Sequence, residues 1–460
     1  MKVALVSFHA RDLSIMNELT YQQKRDRLSH QVREQRDGLR LQKATSNLFR
    51  TRSQADTTRL DVRSLNRVIS VDPDQQVVEV EGMTTYEDLS DACLAHECMP
   101  MVVPQLKSIT IGGAVSGIGI ESTSFRYGLP HETINRMEVL LANGDVVDCS
   151  PDNEHADLFF GIPNSYGTLG YILKLEARTL PVKPFVELEH IRYSDIDAYF
   201  AAVGEACQGD ADFIDGSIFG ADEMYLTLGR FRDTAPYTSD YTWLKMYFRS
   251  IRERGQDFLN IRDYLWRWDT DWFWCSKNLY VQNLPMRLLL GRKRLNSISY
   301  QKVMRWNNRV GLTDRINKLL RREPEGVVQD VDIPIENAAA FLRFFIDEIG
   351  ISPIWMCPIG GHDLTRQFPF YPLHGSGTFV NFGFWDIVPN PEHRERGYFN
   401  RRIEAMVTEL GGIKSLYSDA YYDEDQFWKL YNGASYRELK RKYDPDGRLK
   451  DLYQKCVQRQ

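Results

Sequence analysis

The chain has no run of about 18 uncharged apolar residues, the minimum a bilayer-crossing helix needs, and its apolar start Val3-Ala4-Leu5-Val6 is too short for a signal-peptide core. These two absences predict a soluble, cytoplasmic protein. Cysteine is sparse and unpaired in pattern: seven residues, an odd number, with no C-x-x-C, which suits free thiols in a reducing compartment rather than a disulfide scaffold. None of the nine histidines falls in H-x-x-x-H or H-E-x-x-H spacing, so no metal motif is present. Positive charge is not in excess either. With 57 Lys and Arg against 63 Asp and Glu, the net charge of -6 excludes a general nucleic-acid binder, which needs a strongly basic surface to neutralise phosphates. Internal repeats and low-complexity segments are absent.

What is there is enough apolar material for two cores: 460 residues, 43% hydrophobic, more than one core usually serves. Residues 11–40 are dense in Lys, Arg, Glu and Gln with little turn chemistry, which predicts a charged, exposed helix. From Leu60 onward strands take over. Residues 68–72 and 77–82 read as a hairpin across the turn Pro73-Asp74-Gln75-Gln76, followed by a helix opened by Thr84, Thr85 and Glu87. Strands over 137–141 and 146–149 flank Ala142-Asn143-Gly144-Asp145, where Asn-Gly marks a tight turn, and residues 171–177 alternate apolar and polar as a half-buried strand does. After Leu180-Pro181-Val182-Lys183-Pro184 the composition shifts to long helical stretches rich in Trp, Tyr and Phe, with strands expected over 326–333, 354–357 and 378–384. The texture is α+β, divided into domains 1–182 and 183–460.

The run from Thr110 to Ser122, T-I-G-G-A-V-S-G-I-G-I-E-S, places four glycines and small hydroxyls where a backbone must lie against something large. Glycine permits positive φ and close approach, so such a run can offer a nest of N–H groups to the pyrophosphate of a dinucleotide such as FAD. The competing reading is a glycine-rich turn between two strands. A second small-residue turn, from Asn164 to Gly170 and running into Ile172, makes a paired approach site. Gly117-Ile118-Gly119 is not continued to G-x-G-x-x-G, so the Rossmann fingerprint fails and a dinucleotide here sits in another fold.

These loops, together with Tyr127-Gly128-Leu129, Val139-Leu140-Leu141-Ala142-Asn143-Gly144, Asp157-Leu158-Phe159-Phe160, Gln329-Asp330-Val331-Asp332-Ile333-Pro334, Pro353-Ile354-Trp355-Met356-Cys357-Pro358 and Leu416-Tyr417-Ser418-Asp419-Ala420-Tyr421, resemble one family. It is the Diminuto or Δ24-sterol reductase-like family of the FAD-linked oxidase superfamily that includes vanillyl-alcohol oxidase, and the resemblance spans nearly the whole chain. It implies a two-domain α+β FAD-binding fold of the vanillyl-alcohol oxidase type. The second, cap-like substrate domain would roof the flavin, and the C-terminal segment would pack back toward it. The cofactor contacts it implies are Thr110, Ile111, Gly112, Gly113, Ser116, Gly117, Gly119, Ile120, Glu121 and Ser122, with Gly167, Thr168, Gly170 and Ile172 from the second turn. The counterpart of the family's pyrophosphate loop is the segment 43–50, with Ser46, Asn47 and Arg50; it reads equally as a capped helix N-terminus, which can itself bind anions. Covalent flavin attachment in the superfamily uses a histidine here, and none is present, so noncovalent FAD is expected.

Reducing an unactivated carbon–carbon double bond requires a positioned acid, because the alkene cannot hold negative charge. Tyr421, oriented by Asp419, is the expected acid, with Glu121 as a second candidate. The competing readings are a solvated turn ahead of a helix for Tyr421 and Asp419, and a structural hydrogen-bond acceptor for Glu121. The resemblance implies a lipid-like substrate, a methylene-branched fatty acyl chain or a sterol side chain, and NADPH as donor. The alternatives are an oxygen-using oxidase or desaturase, and a noncatalytic lipid-binding protein that keeps the fold. The aromatic run 264–274 either lines an apolar channel or meets a membrane interface. The Lys- and Arg-rich stretch 292–322 reads as a peripheral contact with anionic lipid or as an ordinary cap surface. Homo-oligomerisation stays open.

Overall fold

A computed structural model of the chain describes residues 19–459 apart from 36, 46–48, 51–57, 312, 314, 316–318, 320–322, 361, 362, 364 and 374–376. Strand-forming segments of period two build two antiparallel sheets. The first takes strands β3 (Val68–Asp72), β4 (Val77–Glu81), β6 (Ile134–Leu140), β7 (Val146–Cys149) and β8 (Tyr171–Pro181) in the order β3-β4-β8-β6-β7, with β5 (Cys98–Pro100) on the far end of β8. Central β8 shows why: its apolar alternates are buried between β4 and β6 while Lys174 and Glu176 are only partly so. Beside this sheet a parallel pair, β1 (Leu39–Gln42) and β2 (Thr58–Asp61), lies under the helix Tyr21–Glu34, which buries Leu28 and Val32. That helix occupies part of the charged stretch; residues 11–18 lie outside the described residues.

The second sheet orders β9 (Phe185–Tyr193), β10 (Phe213–Gly220), β11 (Glu223–Arg232), β12 (Gln256–Asn260), β13 (Glu325–Pro334), β14 (Ile354–Ile359), β15 (Phe379–Val388) and β16 (Ile413–Lys414) as β12-β9-β11-β10-β14-β15-β13-β16. The chain changes sheets between Pro181 and Phe185, and the intervening Val182 donates its amide to Glu97 at 3.0 Å. Helices Ile196–Ala206, Ile335–Phe344 and Tyr398–Glu409 bury their apolar faces in one core with this sheet.

The other core is continuous across both sheets and takes in the C-terminal residues Phe427, Tyr436 and Leu452. Arg448 donates to the carbonyls of Ala142, Val32 and Gln35, and Lys455 to that of Tyr166 at 2.6 Å, so the C-terminus packs against the first sheet's side of the molecule.

One local expectation changes. The aromatic run does not form a long helix: Ile261–Leu265 is a single short turn of helix, after which Asp269 and Asp271 hold an irregular loop. The stretch after Glu121, which is not the long helix that follows a Rossmann glycine loop, forms one turn over Ser124–Tyr127 that is stopped by Gly128 at φ 71°.

Candidate functional site

One cleft, with room of about 670 Å³, is lined from both sheets: by most of the residues between Pro104 and Ile120 and by Tyr166, Gly167, Gly170, Tyr171 and Ile172 on one side, and by Asp330, Trp355, Trp385, Ser415 and Tyr417 on the other. A volume in this range suits an organic ligand of cofactor size.

The glycine run forms its floor in a different way from an open nest. Thr110 caps a short helix, Ile111–Ser116, by accepting from the Gly113 amide at 3.3 Å; Gly112 donates to the carbonyl of Gly82 at 2.9 Å, and Ala114 to that of Thr110 at 2.9 Å. Those three amides are spent inside the protein. Glycine is required there for packing: a Cβ on Gly112 would stand 2.5 Å from the Gly82 carbonyl oxygen, and one on Gly82 2.4 Å from that of Ile172. Further along, the amides of Gly119 and Ile120 carry no hydrogen bond among the described residues, and both residues line the cleft.

Of the expected cofactor contacts, Thr110, Gly112, Gly113, Ser116, Gly117, Gly119, Ile120, Gly167, Gly170, Ile172 and Arg50 line the cleft. Ser46 and Asn47 lie outside the described residues. Ile111, Glu121, Ser122 and Thr168 stand behind the wall instead. Ile111 belongs to the core, and Thr168 accepts from the Tyr436 hydroxyl at 2.7 Å, tying the C-terminal helix Gly433–Tyr443 to the second turn.

Glu121 is 3% exposed and works as a joint. Its Oε1 accepts from the Ser122 amide at 2.7 Å and from Gln105, while Arg267 lies 3.6 Å away and reaches Asp215 at 2.7 Å. Asp215 in turn accepts from the indole of Trp355, fixing a cleft wall. Burial pushes Glu121 up to about 7 against the opposing pull of Arg267 and Ser122. Its backbone continues the joint: the Glu121 carbonyl accepts from the Cys357 thiol at 3.0 Å, and the Ser122 carbonyl from the Ile214 amide at 2.8 Å.

Tyr421 and Asp419 do not line the cleft, which corrects their expected place in the site. Tyr421 sits between the Arg401 and Arg459 guanidiniums with its ring against Gly397, and Asp419 pairs with Arg459 at 3.4 Å. The residue of that segment that reaches the cleft is Tyr417, four positions earlier.

Tyr417 accepts from the Trp385 indole N–H at 2.8 Å and faces the Asp330 carboxyl. Strand alternation explains the meeting: Asp330 on β13 is paired in register with Gly383 on β15, two residues from Trp385, while neighbouring Gln329 bonds Asn400 on the helix-covered face. Gly383 makes the space, since a Cβ there would stand 2.6 Å from both the Asp330 Oδ1 and the Trp385 ring. Burial raises Asp330 to about 7, and burial followed by the Asp330 charge pushes the Tyr417 hydroxyl well up.

Around this pair stand Phe49, Trp272, Phe273, Trp355 and Trp385, with Phe273 and Trp385 centred 4.5 Å apart. Trp272 and Phe273 are both left-handed, at φ 46° and 58°, a strained conformation costing roughly 1–3 kcal/mol per residue that clusters at functional sites. It is held by the aspartates of the same run. Asp269 accepts from the Lys107 amide at 3.1 Å and from Ser297, and buried Asp271 pairs with Arg287 and Ser276. Asp330, Tyr417 and Trp355 fall within the family-like segments of the sequence without being singled out there, and Trp385 falls one residue past the strand expected over 378–384. The signal for the aspartates was a charge placed between tryptophans, which a buried loop must pair.

The lining is also basic, and part of that charge lies beside the Tyr417 group: Arg50 donates to the Leu416 carbonyl at 3.2 Å, and the Ser415 amide to the Asp330 carbonyl at 3.1 Å. Among the described residues Arg40, Lys43, Arg50, Arg59, Lys450 and Lys455 line the cleft against one acid, Asp330, and the Arg50 Nε and Ser415 Oγ are buried without a hydrogen bond. The arrangement can hold an elongated, anionic, ring-bearing molecule with its charged part at the cations and its ring at the aromatic wall.

A family model described as a FAD binding domain matches residues 27–150. The chain is similar to the Delta(24)-sterol reductase of Homo sapiens, 27% identical over 412 residues that cover 85% of this chain and 76% of the relative. The Arabidopsis thaliana protein of the same name is 24% identical over 440 residues, 86% of this chain and 76% of the relative. Cytokinin dehydrogenase 10 of Oryza sativa subsp. japonica is 30% identical over 131 residues, 28% of this chain and 24% of the relative.

Proposed function

We propose that the chain, a FAD-dependent oxidoreductase similar over most of its length to Delta(24)-sterol reductases, reduces an isolated carbon–carbon double bond of a lipid-like substrate, a sterol side chain foremost, with NADPH as electron donor. The cleft fits the cofactor on its own evidence. Among the described residues six cations face one acid, the buried Arg50 Nε lacks an acceptor, the Gly119 and Ile120 amides lack one too, and the glycine floor lets backbone approach closely. The residues that would hold FAD are Arg50, Gly119, Ile120, Gly167 and Gly170 with the flanking cations. No histidine or cysteine is among the described lining residues, and the flavin would be held noncovalently.

When bound, FAD carries the hydride, and the protein supplies orientation, dryness and the proton. The observation that carries the reading is the Tyr417–Asp330–Trp385 group at the aromatic end. An alkene accepting hydride at one carbon needs a proton at the other, and Tyr417 donates it. The Trp385 N–H stabilises the oxygen left behind, and the Asp330 carboxyl, with its proton affinity near neutrality, returns a proton to Tyr417. Phe49, Trp272 and Trp355 exclude water and give an apolar chain its contacts. Sum and charge balance: alkene, NADPH and one proton become alkane and NADP⁺.

The test is anaerobic spectroscopy of the purified protein. NADPH bleaches the flavin, and an unsaturated sterol side chain restores its colour, with a methylene-branched acyl chain assayed beside it. Bleaching by a saturated lipid or an alcohol, with none by NADPH, establishes the oxidase reading instead; folded protein that stays colourless with added FAD overturns the proposal.

A further inference from the structure

The segment that walls the cleft with Trp272 and Phe273 runs on into two consecutive helices whose outward side chains the fold leaves bare. Residues 272–313 contain eight Lys and Arg and no Asp or Glu, in a chain whose net charge is -6. On the helix Leu284–Leu290, Leu284, Leu288 and Leu289 are 58%, 53% and 74% exposed. The helix Ser297–Val310 buries Ser297 and Tyr300 and turns Val303 and Trp306 outward. Large apolar side chains gathered in this way on a surface mark a contact, because each forgoes burial otherwise available to it.

The charges identify the contact. Lys277 and Arg292 pair with Asp386 and Asp240, and Arg287 is buried with Asp271, but Lys293, Arg294, Lys302 and Arg309 are exposed and make no ion pair among the described residues. We propose that this face docks on an anionic bilayer leaflet, with Leu284, Leu288, Leu289 and Trp306 entering the acyl boundary and those four cations meeting lipid phosphates. Helices of 7 and 14 residues fall short of the roughly 20 a span requires, so they would lie in the plane of the interface. A second copy of the chain fits less well, since a two-fold contact through this face sets the cations of each partner against those of the other.

Docking would bring the cleft rim to the lipid. The inner side of the same helix reaches it: Gln301 lines the cleft and donates to the Ser108 Oγ at 3.0 Å. The docking itself does not depend on which substrate is reduced, so it stands or falls separately from the catalytic reading.

The experiment is co-sedimentation of the flavin-loaded protein with phosphatidylcholine vesicles, with and without phosphatidylglycerol. The protein is expected to pellet with the anionic vesicles and to bind roughly tenfold or more weakly without phosphatidylglycerol or in high salt. Leu288→Glu with Leu289→Glu is expected to weaken binding by a similar factor while leaving the flavin spectrum and melting temperature unchanged. Should that variant fold poorly, Lys293→Glu with Arg294→Glu and Lys302→Glu, all at exposed positions, carries the same expectation. Wild-type protein that remains in the supernatant with both vesicle types, variants that pellet as it does, or variants that only dissociate a wild-type dimer would each overturn the proposal.

Discussion

Tyr417 and Tyr421 lie four residues apart and in different surroundings, one between Trp385 and Asp330 at the cleft, the other between two arginines away from it. Proton transfer needs hydrogen-bond reach, so proximity in sequence to a motif is no substitute for a place in the cleft. Tyr417→Phe is therefore expected to slow alkene-driven reoxidation of the reduced flavin by about 10²–10⁴-fold, the usual worth of a positioned acid, while Tyr421→Phe stays near wild type in the same stopped-flow assay. Equal effects would remove Tyr417 from its role. Asp330, pushed up to about 7 by burial, gives the reaction a pH limb: the rate falls as pH rises through about 7, where the carboxylate can no longer resupply the proton. In Asp330→Asn the rate should be lower and flat across that region. The position of Asp330 was legible only as a strand residue; its partner Gly383 is 53 residues away, and register pairing joins them.

Two glycines test the elements that form the two walls. Gly112 lets the helix Ile111–Ser116 lie on the backbone of Gly82, and Gly383 lets Asp330 and the Trp385 indole share one place on the sheet. Alanine at either site overpacks a close contact, at a cost of roughly 1–3 kcal/mol. The consequences should separate. Gly112→Ala lowers the melting temperature and loosens flavin retention, read from absorbance after gel filtration. Gly383→Ala keeps its flavin and loses turnover. Loss of flavin in Gly383→Ala alone would reverse the assignment of the two walls. At this scale much could be read from the sequence. The hairpin β3–β4, the strands about Asn143-Gly144, and the helix capped by Thr85 follow from alternation and turn chemistry. The aromatic run could not be read in the same way. Its path depends on Asp269 reaching Lys107 and Asp271 reaching Arg287, bonds that no local pattern encodes.

For the molecule as a whole, buried carboxyls set the pH dependence of stability. Burial raises Glu121, Glu132 and Asp330 to about 7 and Asp332 to about 6, and lowers His131 to about 3 and His190 to about 4. The raised acids hold protons in the folded chain that the unfolded chain has released above about pH 4–5, so their stabilisation is present at low pH and is lost as pH rises through 6–7. The two histidines act in the opposite direction below about 6.5, and four groups outweigh two. Urea midpoints should thus fall from pH 5 to pH 8; a rise would contradict the burial of these acids. Saturating FAD should add about 2.7 kcal/mol at one hundred times its dissociation constant, and salt should weaken its binding because six cations line the cleft.

The sequence alone determined the strand-rich α+β texture, the change of composition near residue 182, and a glycine run that needs close backbone approach, because periodicity, turn residues and the missing Cβ act over a few positions. Only the tertiary structure decided which side chains share the cleft. Arg50 meets Leu416, and Phe49 meets Trp272 and Tyr417, across hundreds of residues. Whether a tyrosine is a proton donor or a surface ring depends on which sheet face and which loop it is folded against, and that is fixed by long-range pairing and burial rather than by its neighbours in the chain.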